Sequence, residues 1–483
     1  VAEYDFDIGI IGGGAAGLTV ASGAAQLGAR TLLVERAPRL GGDCLHYGCV
    51  PSKTLIRTAA VYHRMRTAER YGLPSVDLPP VDFRQVATRI QTVIDRIQVH
   101  DSEERFCSLG VKVVFGLAFF VDEHTVECGG KRVTARKWVV ATGSSPAGLP
   151  VPGLEETGYW TNKDIFSLDE LPETLLVMGG GPIACEMAQA FSRLGCEVTV
   201  LQRNTQLLSR EDRDMAEVVA DSLRAEGIHL ELGAAFREVR RTGGGVEVEF
   251  ERDGEVHTAR GVNLLVAAGR RTNVEGLGLD NAGVSYDHKG IAVDDRLRTS
   301  QKHIFAAGDV TGKYLFTHAA GYEGGVIIAN AVLRLPRRAD YTWLPWCTYT
   351  EPELASVGMN EKAAQKAGRE HAIWIEEFAD NDRALAEGAT GGRIKLVLDR
   401  REKPLGVQIA GPHAGELASE WVAALNSGTG LSTLASAVHP YPTLAEINKR
   451  VAGRVMSPKL FSGKVRKALS FLFGYKGRAC QLD

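Results

Sequence analysis

Apolar residues come first in short unbroken runs, each closed by glycine. Residues 7–14 read DIGIIGGG, and the small-residue stretch that follows leads into TLLVER at 31–36. Runs of this length bounded by glycine indicate strands buried on both faces, and the stretch between them has the length of a crossover helix. The same order of strand, glycine turn, helix and strand returns at LLVMGGGPIACEMAQAFSRLGCEVTVL, residues 175–201. Three more runs end in small residues: VVATGSSP at 139–146, LLVAAGRRTN at 264–273 and IFAAGDVTG at 304–312. From about Asp340 the pattern changes. Strands are expected at GRIKLVLD and LGVQIAG, followed by a helix at ELASEWVAALNSG. The whole predicts an α/β chain with two doubly wound units and a C-terminal α+β region.

At 483 residues the chain exceeds one compact core and is expected to divide into roughly two to four domains. With apolar residues at 44%, charged residues at 24% and a net charge of -3, nothing in the composition calls for a disordered, strongly acidic or nucleic-acid-binding protein. The 54 glycines exceed average usage, as expected where backbone approaches phosphate closely. VAEYDFDIGIIGGG shows no basic n-region or apolar h-region, and no apolar run is long enough to span a bilayer, so a cytoplasmic protein is expected. Cys107, Cys128, Cys185, Cys196, Cys347 and Cys480 are scattered without paired spacing, the pattern of a reducing compartment.

The two glycine turns carry the first chemistry. Gly12, Gly14 and Gly17 form GxGxxG directly after a strand, and Glu35 ends the next strand where a ribose-binding carboxylate belongs. Gly12 makes the turn, Gly14 admits a pyrophosphate, Gly17 packs helix on strand, and the helix N-terminus faces the anion. In the second copy, Gly179, Gly181 and Ala184 form the turn, but Gln202 replaces the acid and Arg203 follows it. No carboxylate repels a 2′-phosphate there, and Arg203 with Arg210 offers bidentate pairing, which favours NADPH over NADH; solvated surface arginines are the alternative. Two cradles in one chain suggest a tightly held FAD and an exchanging nicotinamide. Gly42, Thr142, Gly143, Gly269, Gly308 and Asp309, most of them at strand ends, are assigned to cofactor binding, with Asp309 alternatively an N-cap.

Between the first cradle and the long middle of the chain lies GGDCLHYGCVPSK, residues 41–53, with Cys44 and Cys49 bracketed by glycine and proline. A structural disulfide, a metal pair and a redox pair are the three readings, and only the last connects with a flavin cradle just upstream. No resident metal site is assigned.

In this order the motifs resemble those of the flavin-dependent pyridine nucleotide-disulfide oxidoreductases, the group containing dihydrolipoamide dehydrogenase, glutathione reductase and mercuric reductase. The resemblance covers nearly the whole length, and its most specific element is residues 41–53, similar to the family's redox-active motif GG-x-C-x4-C-x-P-[ST]-K. It implies an FAD-binding domain over 1–150 and 277–340, an NAD(P)H-binding domain over 151–276, and a dimerisation domain over 341–483, hence a homodimer. It also implies that Cys49 lies against the flavin as the charge-transfer thiolate while a more exposed Cys44 exchanges with substrate. Lys53 and Glu186 match a pair near the flavin N5, and FTHAAGYEGG matches a segment whose helix points at the flavin, with His318 either a flavin contact or a plain helix residue. Five residues of regular helix span about 7.5 Å, beyond disulfide reach of about 7 Å, so the helix must be distorted between Cys44 and Cys49; Gly48 and Pro51 permit that.

The C-terminal motif departs from the family pattern H-x-H-P-T-x-x-E. Residues 438–446 read VHPYPTLAE, with Tyr441 in the catalytic position, His439 two residues earlier, and Glu446 matching the acid that orients the imidazole. A phenol with a pKa of about 10 is no general base near neutrality. Mercuric reductases resemble this chain in carrying that tyrosine, yet their vicinal C-terminal cysteines are here the single Cys480. The electron acceptor is therefore expected to be a metal ion or another small oxidant, with lipoamide or another small disulfide as the alternative and a membrane quinone as a third. The tail 457–483 has six basic residues and no acid between Lys459 and Arg478, interleaved with Leu and Phe. It reads either as a helix packed at the dimer interface or as a peripheral contact with the inner membrane face.

Overall fold

A computed structural model of the chain describes residues 3–477, 479 and 480. Arg478, counted above among the basic residues of the tail, and residues 481–483 lie outside the described residues. The chain forms two compact units, Val1–Leu207 with Leu223–Tyr341, and Leu208–Ser222 with Thr342–Asp483. The segment Leu208–Ser222 falls inside the expected 151–276 domain yet belongs to the second unit.

Each glycine-closed run of the first unit is a strand. One five-stranded parallel sheet runs in the order Ile304–Ala306, Trp138–Val140, Ile8–Ile11, Thr31–Glu35, Val111–Phe115. Its central strands are fully apolar because both faces are covered, so Ile10, Leu33 and Val139 are buried completely. A second parallel sheet has the order His229–Leu232, Glu197–Gln202, Thr174–Met178, Asn263–Val266. Beside each stands a three-stranded antiparallel sheet, 118–134 for the first and 235–261 for the second. In both parallel sheets the cradles sit at the carboxyl ends of the strands, where open α/β sheets bind ligands.

The second unit is built on a five-stranded antiparallel sheet ordered Pro345–Thr348, Glu353–Gly358, Pro404–Gly411, Arg393–Asp399, His371–Glu377. Helices Ala414–Asn426 and Glu446–Leu460 contribute Trp421, Ile447 and Val451 to a core shared with Phe378, Leu396 and Ile409 of the sheet side. Trp421 is fully buried and donates its indole N–H to Asn448 Oδ1 at 2.8 Å, so the large ring carries no unmet polar atom.

The strap Leu208–Ser222 supplies this unit with buried charge. Glu211 accepts hydrogen bonds from Trp346 Nε1 (2.5 Å), Ser356 Oγ (2.7 Å) and Gln408 Nε2 (2.6 Å). Burial nonetheless pushes its carboxyl above the ordinary range. Lys395, buried in the sheet, faces Glu361 at 2.6 Å, Asp214 at 2.8 Å and Asp212 at 3.1 Å. Burial alone would lower its pKa; the three acids outweigh it and hold the ammonium above its usual value.

Candidate active site

The first cradle is closed by backbone. Gly12 has φ +110, and a Cβ on it would lie 2.3 Å from Ala141 O. Gly17 packs so closely that its Cβ would collide with Gly12 O. Gly14 precedes helix Ala15–Gln26 and offers no capping side chain, which leaves the first-turn N–H groups directed at the turn. Glu35 accepts from Gly13 N at 2.6 Å and Ala37 N at 2.7 Å, anchoring its carboxylate against the turn. A phosphate-bearing dinucleotide such as FAD fits this donor set.

The second cradle repeats the plan with one exchange of chemistry. Gly179 has φ +126, Gly181 caps helix Pro182–Leu194 without a side-chain bond, and Ala184 is buried in that helix. Buried Gln202 packs against Gly180, where a Cβ would meet its amide at 2.8 Å; Glu35 stands against Gly13 in the same way. Arg203 is exposed in the first unit, and Arg210 is exposed in the second.

The two cysteines lie on different helices. Cys44 is in the short helix Gly42–His46, and Cys49 begins helix Cys49–Arg66. The break falls at Tyr47 and Gly48, where a Cβ on Gly48 would sit 3.0 Å from Asp43 O. A second close approach ties this turn to the cradle: Gly42 has φ +63, and a Cβ there would come within 2.7 Å of Gly14 Cα. Cys44 is half-buried, and Cys49, at the start of its helix, is exposed.

Around Cys49 the field is positive. Its Sγ is 3.4 Å from Thr317 Oγ1, the first residue of helix Thr317–Ile327. Lys53, one turn further on, bonds buried Glu186 at 2.7 Å. The hydrogen bond from Cys44 pulls the Cys49 thiol down to about 6; burial opposes this, and Thr317 and Lys53 reinforce it. The same bond and burial push the Cys44 thiol up. The pair therefore loses its first proton from Cys49. His318 stacks on Phe316 with ring centroids 5.3 Å apart.

Arg270 is a site residue that spacing did not reveal. Its Nη2 is 2.9 Å from Asp43 Oδ2, beside Cys44, and its Nε is 2.7 Å from Ser144 Oγ and 3.6 Å from Asp309 Oδ2. Ser144 Oγ donates to Asp309 at 2.5 Å, and burial raises the Asp309 carboxyl despite these partners. Asp309 therefore does not cap the following turn. Asn162 Nδ2 holds Tyr47 O at 2.9 Å, so the cysteine turn is gripped from both sides. Near Asp309, Thr142 Oγ1 donates to Asn273 O at 2.7 Å, Gly143 (φ +71) and Gly269 (φ +140) turn their strand ends, and Gly308 N donates to Glu323 at 2.6 Å.

In the second unit His439 finds its acid on another helix. His439 Nε2 lies 3.0 Å from Glu420 Oε1, and its Nδ1 is 3.3 Å from Ala437 O. Helix Ala414–Asn426 places Glu420 under this loop, and Asn448 Nδ2 fixes it at 2.8 Å. Glu446 instead opens the next helix, its Oε2 3.5 Å from Thr443 N. Tyr441 is 71% exposed, and its hydroxyl donates to Asp382 Oδ2 at 2.8 Å. That hydrogen bond raises the phenol above its ordinary pKa. Among the described residues, no group of three or more His, Cys, Asp or Glu gathers as metal ligands, and no helix is long and apolar enough to cross a membrane.

Comparison with known proteins places these features in one class. The family described as pyridine nucleotide-disulphide oxidoreductase matches residues 6–324, and its dimerisation domain matches residues 344–452. The chain belongs to this family. It is 32% identical over 446 residues to a mercuric reductase of Staphylococcus aureus, covering 92% of this chain and 81% of that one. It is 33% identical over 459 residues to the dihydrolipoyl dehydrogenase of Bacillus subtilis, covering 92% and 96%. The Cu(II) complex of the HOCl-induced flavoprotein disulfide reductase RclA from Escherichia coli superposes with a TM-score of 0.83 at 26% identity, covering 93% of this chain and 100% of that one. Members of the family use FAD and a pyridine nucleotide, and the first cradle fits the former.

Proposed function

We propose that this chain is a homodimeric, cytoplasmic NADPH-dependent flavoenzyme that passes electrons through Cys44 and Cys49 to a metal ion or a comparably small oxidant. The observation that carries this reading is the state of the C-terminal motif. Exchange with a disulfide substrate needs a base beside the interchange thiol. Both ring nitrogens of His439 are engaged, while the exposed group is the Tyr441 phenol, which keeps its proton. A soft metal ion needs thiolates rather than a base. Relatives named mercuric reductase, and a neighbour solved with Cu(II), support that acceptor class.

When bound, FAD would take hydride from the nicotinamide and supply an electron pair to the disulfide. Cys49, already inclined to the thiolate, holds the negative charge, with Lys53 and the Thr317 helix start stabilising it. Glu186 keeps Lys53 in place at 2.7 Å. Cys44 retains the proton until an acceptor arrives and loses it on binding a metal ion. The balance is two electrons from one NADPH, reducing one Hg(II) to Hg(0) or two Cu(II) to Cu(I), with one proton released. Gln202 and Arg203 favour the 2′-phosphate of NADPH.

The second reading is a dihydrolipoyl dehydrogenase-like disulfide reductase, favoured by the relatives of that name. The test is NADPH oxidation by the FAD-loaded enzyme with Hg(II), Cu(II), lipoamide, glutathione disulfide and a quinone offered separately. Metal-dependent oxidation lost in Cys44→Ser supports the proposal. Turnover of lipoamide or glutathione disulfide that depends on His439 replaces it with the second reading.

A further inference from the structure

The family's dimerisation domain matches the chain only as far as residue 452, and the electron path uses nothing beyond it. Helix Gly463–Phe473 lies there, started by Ser462, whose Oγ accepts from Val465 N at 3.3 Å. With about 100° between successive residues, Ala468, Leu472, Val465, Leu469 and Phe473 share one arc of about 140°. Arg466, Ser470, Lys467, Phe471 and Lys464 take the opposite side, so cations border the apolar arc on both edges and Phe471 stands among them. No residue of this helix is buried: Leu472 is 66% exposed, Phe473 64% and Phe471 89%, and the flanking Phe461 is 66% exposed.

Charge identifies what would cover this face. Residues 460–477 contain Lys464, Arg466, Lys467 and Lys476 and no acid, in a chain whose net charge is -3. Lys459, just before them, is paired with Glu402. We propose that residues 461–475 form a docking surface for an anionic lipid bilayer. The apolar arc enters the acyl boundary while the bordering lysines and arginine extend to the headgroup phosphates. A two-fold contact through the same helix would bring two acid-free cationic segments together, and protein interface cores are depleted in lysine. A lipid surface requires no acidic counterpart from the chain.

The experiment is co-sedimentation of the full-length, FAD-loaded protein with phosphatidylcholine vesicles, with and without phosphatidylglycerol. The expected result is sedimentation with the phosphatidylglycerol vesicles, weakened by salt. Each basic residue near an anionic surface is worth about fivefold in partitioning, so Lys464→Ala, Arg466→Ala and Lys467→Ala together should lower binding about a hundredfold. Leu472→Glu with Phe473→Glu should abolish it. Reductase activity measured without vesicles should be unchanged in both variants, because the substituted side chains are exposed. The proposal is overturned if neither vesicle binds the protein, or if binding ignores both sets of substitutions. It is equally overturned if the substitutions abolish concentration-dependent self-association instead, which would assign the face to a second copy.

Discussion

Arg270 and Asp43 are 227 residues apart in the chain, and Arg270 Nη2 stands 2.9 Å from the Asp43 carboxylate, next to Cys44. The guanidinium also holds Ser144 through Nε, so one planar fork ties the cysteine turn to the strand ends behind it. Arg270→Met should cost about 2 kcal/mol of stability and speed the modification of Cys44 by a disulfide reagent, because the turn loosens. Urea unfolding and thiol-reagent kinetics measure the two effects. Arg270→Lys should restore little of either, since an ammonium cannot bond both partners in the same geometry. Equal stability and thiol rates in all three proteins would remove Arg270 from this role.

Alkylation of the reduced pair gives a direct reading of its protonation. Thiolate is the reacting form, so the rate at Cys49 should rise with pH through about 6 and then level off. Lys53→Met removes a cation that favours the thiolate and should move the inflection upward. Cys44→Ala should move it upward too, because the largest cause of the shift is the bond from the Cys44 thiol. An inflection near the ordinary thiol value in the wild-type protein would contradict the assigned charge state.

Nucleotide choice rests on Gln202. Gln202→Glu would place a carboxylate where Glu35 stands in the first cradle, accepting from the 2′-hydroxyl and repelling a 2′-phosphate. The ratio of kcat/KM for NADPH to that for NADH should fall at least about tenfold, a change of about 1.4 kcal/mol. A ratio that does not change would show that Gln202 has no part in the choice.

Tyr441→Phe should slow metal-dependent turnover by less than about tenfold and leave its pH profile flat between pH 6 and about 9. The phenol is raised above its normal pKa by Asp382, so it does not titrate in that interval. His439→Ala should lower thermal stability through the lost Glu420 contact while leaving the same pH profile in place. An ionisation present in the wild-type turnover and lost in either variant would make that residue a proton donor or acceptor in the reaction.

The fold was legible in the sequence wherever local chemistry repeats: the glycine turns, the apolar strands and the cysteine motif each carry their signal within a few dozen residues. The break between Cys44 and Cys49 could be argued from helix rise alone. What was not legible depends on distant partners. Nothing near Arg270 in LLVAAGRRTN points to Asp43, and nothing in ELASEWVAALNSG distinguishes Glu420 from any solvated helix acid. His439 meets Glu420 because the helix that carries it, far from the motif in sequence, lies beneath the loop.

Lys395→Met should destabilise the second unit by about 2–4 kcal/mol, because three acids then face one another without their cation; two of them are partly solvated, which moderates the loss. Unfolding should show a lowered midpoint in that unit.

The same arrangement affects how the protein can be made and cut. A fragment starting at Thr342 contains Lys395, Ser356, Trp346 and Gln408 but not the Glu211, Asp212 and Asp214 that answer them. Such a fragment carries a lysine inside its sheet with only Glu361 as counter-ion, and should not stand as an independent fold. On the ribosome the acids emerge well over a hundred residues ahead of Lys395, so they must wait for most of the remaining chain. For recombination, the segment from Thr342 onward is not an exchangeable cassette unless residues 208–222 travel with it.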